Sequence, residues 1–246
     1  KDPSPLYGKA KADGLKFRIQ LATENCVGCG VCMTVCPVGD GTKENPRALT
    51  AKPIATQTKQ QPVADYLYKE TPEKPQYGNA NTVAGVSLER PYFEVSGCCP
   101  GCGEAPYYRL VSQLFGRDML VANATGCSMI YCSATPSNPF ATNNEGEGVA
   151  WANSLFEDNA EYGFGMAVAQ TTKEARILRI MEENLDKVEP ELKASFEAYI
   201  NANDDRDKQR EVKDAIISGV KASACEDVKP LLEMERDLVG KSVWIV

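Results

Sequence analysis

Cys26-Val27-Gly28-Cys29-Gly30-Val31-Cys32-Met33-Thr34-Val35-Cys36-Pro37 sets four thiols in the pattern Cys-x2-Cys-x2-Cys-x3-Cys-Pro. Two-residue gaps wrap a tight loop around a compact inorganic core, so that three thiolates reach three metal ions of one cubane. Gly28 and Gly30 let the backbone come close and aim amides at sulfide. The three-residue gap throws Cys36 away from that loop, toward the second cluster of a pair. The expected cofactor is therefore 4Fe-4S, with Cys26, Cys29, Cys32 and Cys36 as ligands; a structural zinc knuckle rarely uses four cysteines at this spacing. Two cubanes need eight thiolates, and no matching second motif follows. The other half is expected before Lys1 or on another chain.

Working outward, the ten cysteines are clustered, with five more between Cys98 and Cys132 and a lone Cys225. Gly97-Cys98-Cys99-Pro100-Gly101-Cys102-Gly103-Glu104 places Cys99-x-x-Cys102 just before a predicted helix, whose N-terminal dipole favours thiolate. Cys127 follows a predicted strand, where open α/β sheets place their ligands. Cys99, Cys102 and Cys127 are expected to converge on metal and to need a fourth ligand. Cys98 is poorly placed, because neighbouring residues point in different directions. Nothing supports Cys132 or Cys225 in that role. A redox Cys-x-x-Cys pair and a zinc site are the alternatives. Tight cysteine groups, without the spread of a disulfide framework, suit a reducing compartment, and a cytoplasmic location is expected.

The rest of the composition narrows the chemistry. The 246 residues include no His, which excludes a Ser-His-Asp triad, a Cys-His pair and a His general base within the chain. With 27 basic against 34 acidic residues the net charge is −7, a poor footing for nucleic acid, whose binding rests on neutralised phosphates. No apolar run is long enough to span a membrane.

Along the chain, Leu15-Lys16-Phe17-Arg18-Ile19-Gln20-Leu21 alternates and predicts a half-buried strand. Residues 41–90 are polar and punctuated by Lys52-Pro53, Gln61-Pro62, Thr71-Pro72 and Lys74-Pro75, which reads as an extended linker. A helix is predicted from Glu104 to Phe115, closed by Gly116. Met119-Leu120-Val121-Ala122 reads as a buried strand, 133–150 as loop, and the pattern turns helical from Trp151. Residues 171–241 carry 30 charged residues, 13 basic and 17 acidic, and read as surface helices with a solvated face. Thr171 with Glu174 has capping-box spacing. Leu178, Met181, Leu185 and Val188 make one apolar stripe, and Val212, Ile216, Ile217 and Val220 another. Pro190 separates two helices, and Val243-Trp244-Ile245-Val246 reads as a buried strand.

Ser96 through Glu104, Asn123-Ala124-Thr125-Gly126-Cys127-Ser128, Pro136-Ser137-Asn138-Pro139 and Trp151-Ala152-Asn153-Ser154-Leu155-Phe156-Glu157-Asp158-Asn159-Ala160-Glu161-Tyr162-Gly163 closely resemble the pyruvate:ferredoxin (flavodoxin) oxidoreductases. The resemblance covers nearly the whole chain and keeps the order ferredoxin motif, linker, thiamine-diphosphate domain. It implies an α/β chain: a partial thiamine-diphosphate-binding fold, mostly parallel sheet with helices, after half of a bacterial-ferredoxin-like α+β unit. The implied domains are 1–40, part of the ferredoxin-like unit; 41–90, linker; and 91–246, the start of the thiamine domain with a charged helical insert at 171–241.

The resemblance also implies an activity: oxidative decarboxylation of pyruvate to acetyl-CoA and CO2, with electrons leaving through three 4Fe-4S clusters to ferredoxin or flavodoxin. By resemblance, Cys99, Cys102 and Cys127 ligate the cluster nearest thiamine, whose fourth ligand lies beyond Val246, and Glu104 and Cys127 contact thiamine diphosphate. Cys26, Cys29 and Cys32 serve a second cluster, and Cys36 a third. The family's Gly-Asp-Gly motif, which binds Mg2+ and the diphosphate, is expected directly after Val246. The regions for pyruvate and coenzyme A are expected before the ferredoxin unit. The chain is thus expected to be an interior piece of a homodimeric enzyme and to be inactive alone. A free-standing iron–sulfur carrier without catalysis is the alternative, and a zinc-stabilised interaction domain a third.

Overall fold

Met119-Leu120-Val121-Ala122-Asn123 forms the central strand of a three-stranded parallel sheet. The structure, a computed structural model, describes residues 4–5, 11–72, 74–79, 81–133 and 138–246. Pro136 and Ser137, part of one stretch quoted for the family resemblance, lie outside the described residues. In chain order the strands are β1 (Ser4–Pro5), β2 (Lys16–Phe17), β3 (Met119–Asn123), β4 (Ala150–Asn153) and β5 (Ser242–Ile245). The helices are α1 (Val31–Thr34), α2 (Gln60–Lys69), α3 (Val83–Val86), α4 (Ala105–Phe115), α5 (Cys127–Ser133), α6 (Asn159–Asn184), α7 (Pro190–Ala202), α8 (Arg206–Ala222) and α9 (Pro230–Glu233). The expected α/β class holds.

The chain divides into two units, Lys1–Gly116 with Ile130–Glu147, and Arg117–Met129 with Gly148–Val246.

In the first unit, the expected strand over Leu15–Leu21 shrinks to Lys16–Phe17, paired antiparallel with Ser4–Pro5. Its apolar side chains are not half-buried: Phe17, Ile19 and Leu21 are 39%, 65% and 52% exposed. Alternation creates an apolar face, but burial needs a partner layer to cover it. The expected linker is also more structured than its prolines suggest. It carries the ten-residue helix α2, whose Gln60 and Gln61 side chains bond Arg18, Gln20 and the Glu24 amide. Pro62 sits in the first turn of α2, where its missing N–H costs nothing. Helix α4 begins and ends as expected, with Glu104 and Gly116 as its caps. Phe93, Tyr108, Tyr131 and Phe140 pack as an aromatic group, with ring centroids 5.4–6.4 Å apart.

In the second unit the strand order is β4-β3-β5, so β3 is covered on both edges. Val121 and Ala122 are fully buried. Strand β5 forms where Val243–Val246 were expected to, yet it is an edge strand and only half-buried, with Ile245 55% exposed. Parallel strands of one sheet require long crossovers. Helices α6 to α9 supply the one from β4 to β5. Helix α6 lies close on the sheet, since a Cβ on Gly163 would run into Ile245 and Ala122.

Two expectations fail here. Trp151–Asn153 is strand β4, not the start of a helix. Thr171 is no cap: α6 has already run for twelve residues, and the Thr171 hydroxyl donates back to the Ala167 carbonyl at 3.1 Å. The second error has a local cause: the glycines at 163 and 165 dilute the helical signal of the first half of α6.

The charged region 171–241 builds a core of its own. Ile177, Met181, Phe196, Ile216, Val220, Leu231 and Leu238 are all fully buried there. The two apolar stripes point into it as expected, with Leu178, Leu185, Val188 and Val212 at its margin. Pro190 is the first residue of α7, and the Asp205 side chain caps α8 by accepting from the Lys208 amide at 3.2 Å. Asp118, just before β3, accepts two bonds from Arg210 on α8 at 2.8 and 2.9 Å and one from Lys241 at 3.0 Å. This nearly buried trio pins the crossover to the sheet.

Candidate functional site

The cysteine loop follows from its glycines. Gly28 and Gly30 have φ of +70° and +77°, a left-handed conformation that other residues rarely adopt. Gly30 caps α1, and its carbonyl receives the amides of Met33 and Thr34 at 3.0 and 3.1 Å. Cys26, Cys29 and Cys32 are exposed, while Cys36 is nearly buried. Backbone hydrogen bonds at Val38 and Leu49 hold the Cys36 thiol below its usual value, with a smaller contribution from the Arg47 charge.

Four thiols, no imidazole and two left-handed glycines form a donor set that fits an iron–sulfur cluster. The side chains are not gathered in advance. Among the described residues no three Cys, Asp or Glu side chains lie close enough together to hold a metal ion.

Arg47 is a participant that the sequence reading missed. Its Nη1 donates to the carbonyls of Met33 at 2.6 Å, Thr34 at 2.5 Å and Cys36 at 3.4 Å. An isolated Arg beyond a cysteine motif carries no signal, because its partners are backbone atoms.

Cys99-Pro100-Gly101-Cys102 folds into a tight turn. The Cys102 amide donates to the Cys99 carbonyl at 3.0 Å, and Gly101 takes φ +74°. Proline second and a left-handed glycine third suit a type II turn. Cys99 is exposed, and Cys98 and Cys102 are half-buried. Cys98 accepts from the Ser96 hydroxyl at 3.0 Å.

Glu104, the cap residue of α4, makes no capping bond with its side chain. Its Oε2 instead accepts from the Tyr131 hydroxyl at 3.2 Å. Tyr131 is 3% exposed, and burial first, then the bond to Glu104, push its phenol well up, so it stays a donor.

Cys127 opens α5 four residues after β3 ends, and it is exposed. It belongs to the second unit, Cys99 and Cys102 to the first. The strand ends beside Cys127 are tied by polar side chains from the Trp151–Gly163 stretch. Asn159 Nδ2 donates to the carbonyls of Val246 at 3.1 Å and Ala122 at 3.4 Å, and Ser154 Oγ donates to Asn159 Oδ1 at 3.1 Å. Thr125 Oγ1 donates to the Ser154 carbonyl at 3.1 Å. Buried Asn159 thus satisfies backbone groups at the carboxyl ends of two parallel strands.

Cys132 is fully buried, and burial pushes its thiol up to about 12. It behaves as a small apolar residue. Cys225 packs against the helical core.

The family model for a 4Fe-4S binding domain matches residues 19–39, the span that contains all four motif cysteines. Nearly the whole chain is matched by curated relatives. It is 40% identical over 244 residues to pyruvate:ferredoxin oxidoreductase of Moorella thermoacetica, covering 96% of this chain and 20% of that protein. It is 38% identical over 250 residues to pyruvate-flavodoxin oxidoreductase of Klebsiella pneumoniae, covering 99% of this chain and 21% of that protein. The mitochondrial pyruvate dehydrogenase [NADP(+)] of Euglena gracilis is 38% identical over 246 residues, covering 97% of this chain and 13% of that protein. The chain spans about a fifth of the length of the first two relatives. Among the described residues no helix is long and apolar enough to cross a membrane.

Proposed function

We propose that this chain, similar along nearly all its length to pyruvate:ferredoxin and pyruvate-flavodoxin oxidoreductases, is the part of such an enzyme that joins its iron–sulfur relay to its thiamine-diphosphate site. The observation that carries this reading is the conjunction, in one collinear match, of the Cys26–Cys36 motif with the turn-and-helix group of Cys99, Cys102 and Glu104. A free-standing electron carrier has no use for Glu104 and its buried Tyr131 donor.

Each residue then has a stated task. Residues 1–40 are part of a ferredoxin-like unit in which Cys26, Cys29 and Cys32 ligate one cluster and Cys36 another. Residues 41–90 connect it to 91–246, the start of the thiamine domain. Cys99, Cys102 and Cys127 ligate the cluster nearest thiamine. When bound, thiamine diphosphate with Mg2+ supplies the electron sink for cleaving the carboxyl group from pyruvate, and the clusters carry two electrons away singly. Glu104 presents a carboxylate to the cofactor's polar edge, and Tyr131 orients it. Asn159 and Ser154 hold the strand ends beside Cys127.

Acetyl transfer to coenzyme A, ferredoxin or flavodoxin as acceptor, dimerisation and a reducing cytoplasm complete the reading. The Euglena relative's name gives NADP(+) instead. The test is pyruvate-dependent viologen reduction by the parent enzyme, purified without oxygen, with and without coenzyme A. Reduction that requires pyruvate and thiamine diphosphate supports the reading. A pure parent enzyme with full iron content and no such reduction contradicts it.

A further inference from the structure

We propose that Arg47 is a positioning residue for the Cys26–Cys36 motif, which fixes the end of its helix and sets beside it a positive charge that tunes the bound cluster. The inference rests on the iron–sulfur reading above.

Helix α1 is a single turn of four residues, too short to hold itself. Its last carbonyls have no partner within the helix. Arg47 supplies one, with Nη1 at 2.6 Å from Met33 O and 3.4 Å from Cys36 O, and bonded to Thr34 O between them. Those carbonyls span the segment between Cys32 and Cys36. Arg47 therefore fixes how the fourth thiol is disposed relative to the third.

The loop that delivers Arg47 is built for the purpose. The amides of Asp40 and Gly41 donate to the Asn45 carbonyl at 3.1 and 3.2 Å. The Thr42 amide donates to Asp40 Oδ1 at 2.8 Å, and the Asn45 amide to Thr42 Oγ1 at 3.1 Å. Gly39 has φ +76°, and a Cβ there would stand 2.8 Å from the Asn45 carbonyl oxygen. The chain can close this tightly only with glycine at that position.

Carbonyls orient the guanidinium without cancelling its charge. Among the described residues no carboxylate lies within ion-pair distance of Arg47. A 4Fe-4S cluster held by four thiolates is anionic, and net charge is one of the levers on its potential. Reduction adds negative charge, so a fixed cation nearby favours the reduced form. Removing that cation moves the potential to more negative values.

The experiment compares the full parent enzyme with its Arg47→Met and Arg47→Lys variants, all purified without oxygen. Iron is counted, and each cluster is titrated by EPR-monitored reduction. The expected result is a negative shift of at least one cluster in Arg47→Met, near-wild-type potentials in Arg47→Lys, and full iron in both. Wild-type potentials throughout Arg47→Met overturn the inference, as does an equal shift in Arg47→Lys. Should Arg47→Met assemble no cluster, Arg47→Lys decides: assembly at wild-type potentials supports the charge role, and failure to assemble contradicts it. Absence of cluster signals in the wild-type enzyme overturns the iron–sulfur reading itself, and this inference with it.

Discussion

The Tyr131 hydroxyl donates to Glu104 Oε2 across 3.2 Å, linking the buried side of α5 to the cap residue of α4. An acid in a first helical turn is ordinarily explained by the helix dipole alone, worth a fraction of a kcal/mol. Glu104 has a dedicated donor as well, and that donor is fixed among Phe93 and Tyr108. Tyr131→Phe keeps the ring and deletes the bond. With a hydrogen bond worth about 1 kcal/mol, thiamine diphosphate should bind about fivefold more weakly. Glu104→Gln should slow decarboxylation further while iron content stays unchanged. Calorimetric titration with thiamine diphosphate, beside an iron assay, checks both. Wild-type affinity and kinetics in Glu104→Gln would leave only the helix-dipole role.

Cys132 should resist alkylation while the exposed cysteines of the two groups react. Its thiol is pushed up to about 12, so at pH 8 only about one in 10^4 is thiolate, the nucleophilic form. Cys26, Cys29, Cys32, Cys99 and Cys127 are exposed. Brief iodoacetamide treatment of the iron-free protein, read by peptide mass spectrometry, should label those five and spare Cys132. Unfolding the protein in denaturant should bring Cys132 into the labelled set. Early labelling of Cys132 would show that it is not buried.

The parts legible in the sequence are those whose signal is local. Cysteine spacing announces the cluster motif, Pro106 and Gly116 frame α4, and the apolar run Met119–Ala122 marks the central strand. What was misread depended on distant partners. Phe17, Ile19 and Leu21 alternate like a strand but gain no covering layer. Trp151–Asn153 became a strand because β3 lies beside it in parallel register, with Val121 opposite Trp151. Arg47 was invisible because it works through backbone carbonyls. Tyr131 was invisible because its tie to Glu104 spans 27 residues.

Asp118→Asn should destabilise the second unit strongly. Arg210 and Asp118 are only 16% and 13% exposed, and the change leaves Arg210 and Lys241 facing a neutral group. Losing one partner of a nearly buried pair costs on the order of 3 kcal/mol. Asp186→Asn, which breaks an exposed contact with Lys193, should leave stability unchanged. Thermal unfolding of the parent enzyme, followed by circular dichroism, should show a lower midpoint for Asp118→Asn alone. Equal midpoints for the two variants would contradict the anchoring role.

The central claim is that the two cysteine groups hold separate clusters within one electron relay, and an iron count tests it most directly. In the parent enzyme purified without oxygen, Cys29→Ser should lose about four irons, one cubane's worth. It should keep the EPR signal of the cluster nearest thiamine and the pyruvate-dependent reduction of that cluster. Unchanged iron in Cys29→Ser, or loss of the thiamine-proximal signal together with it, would contradict the account.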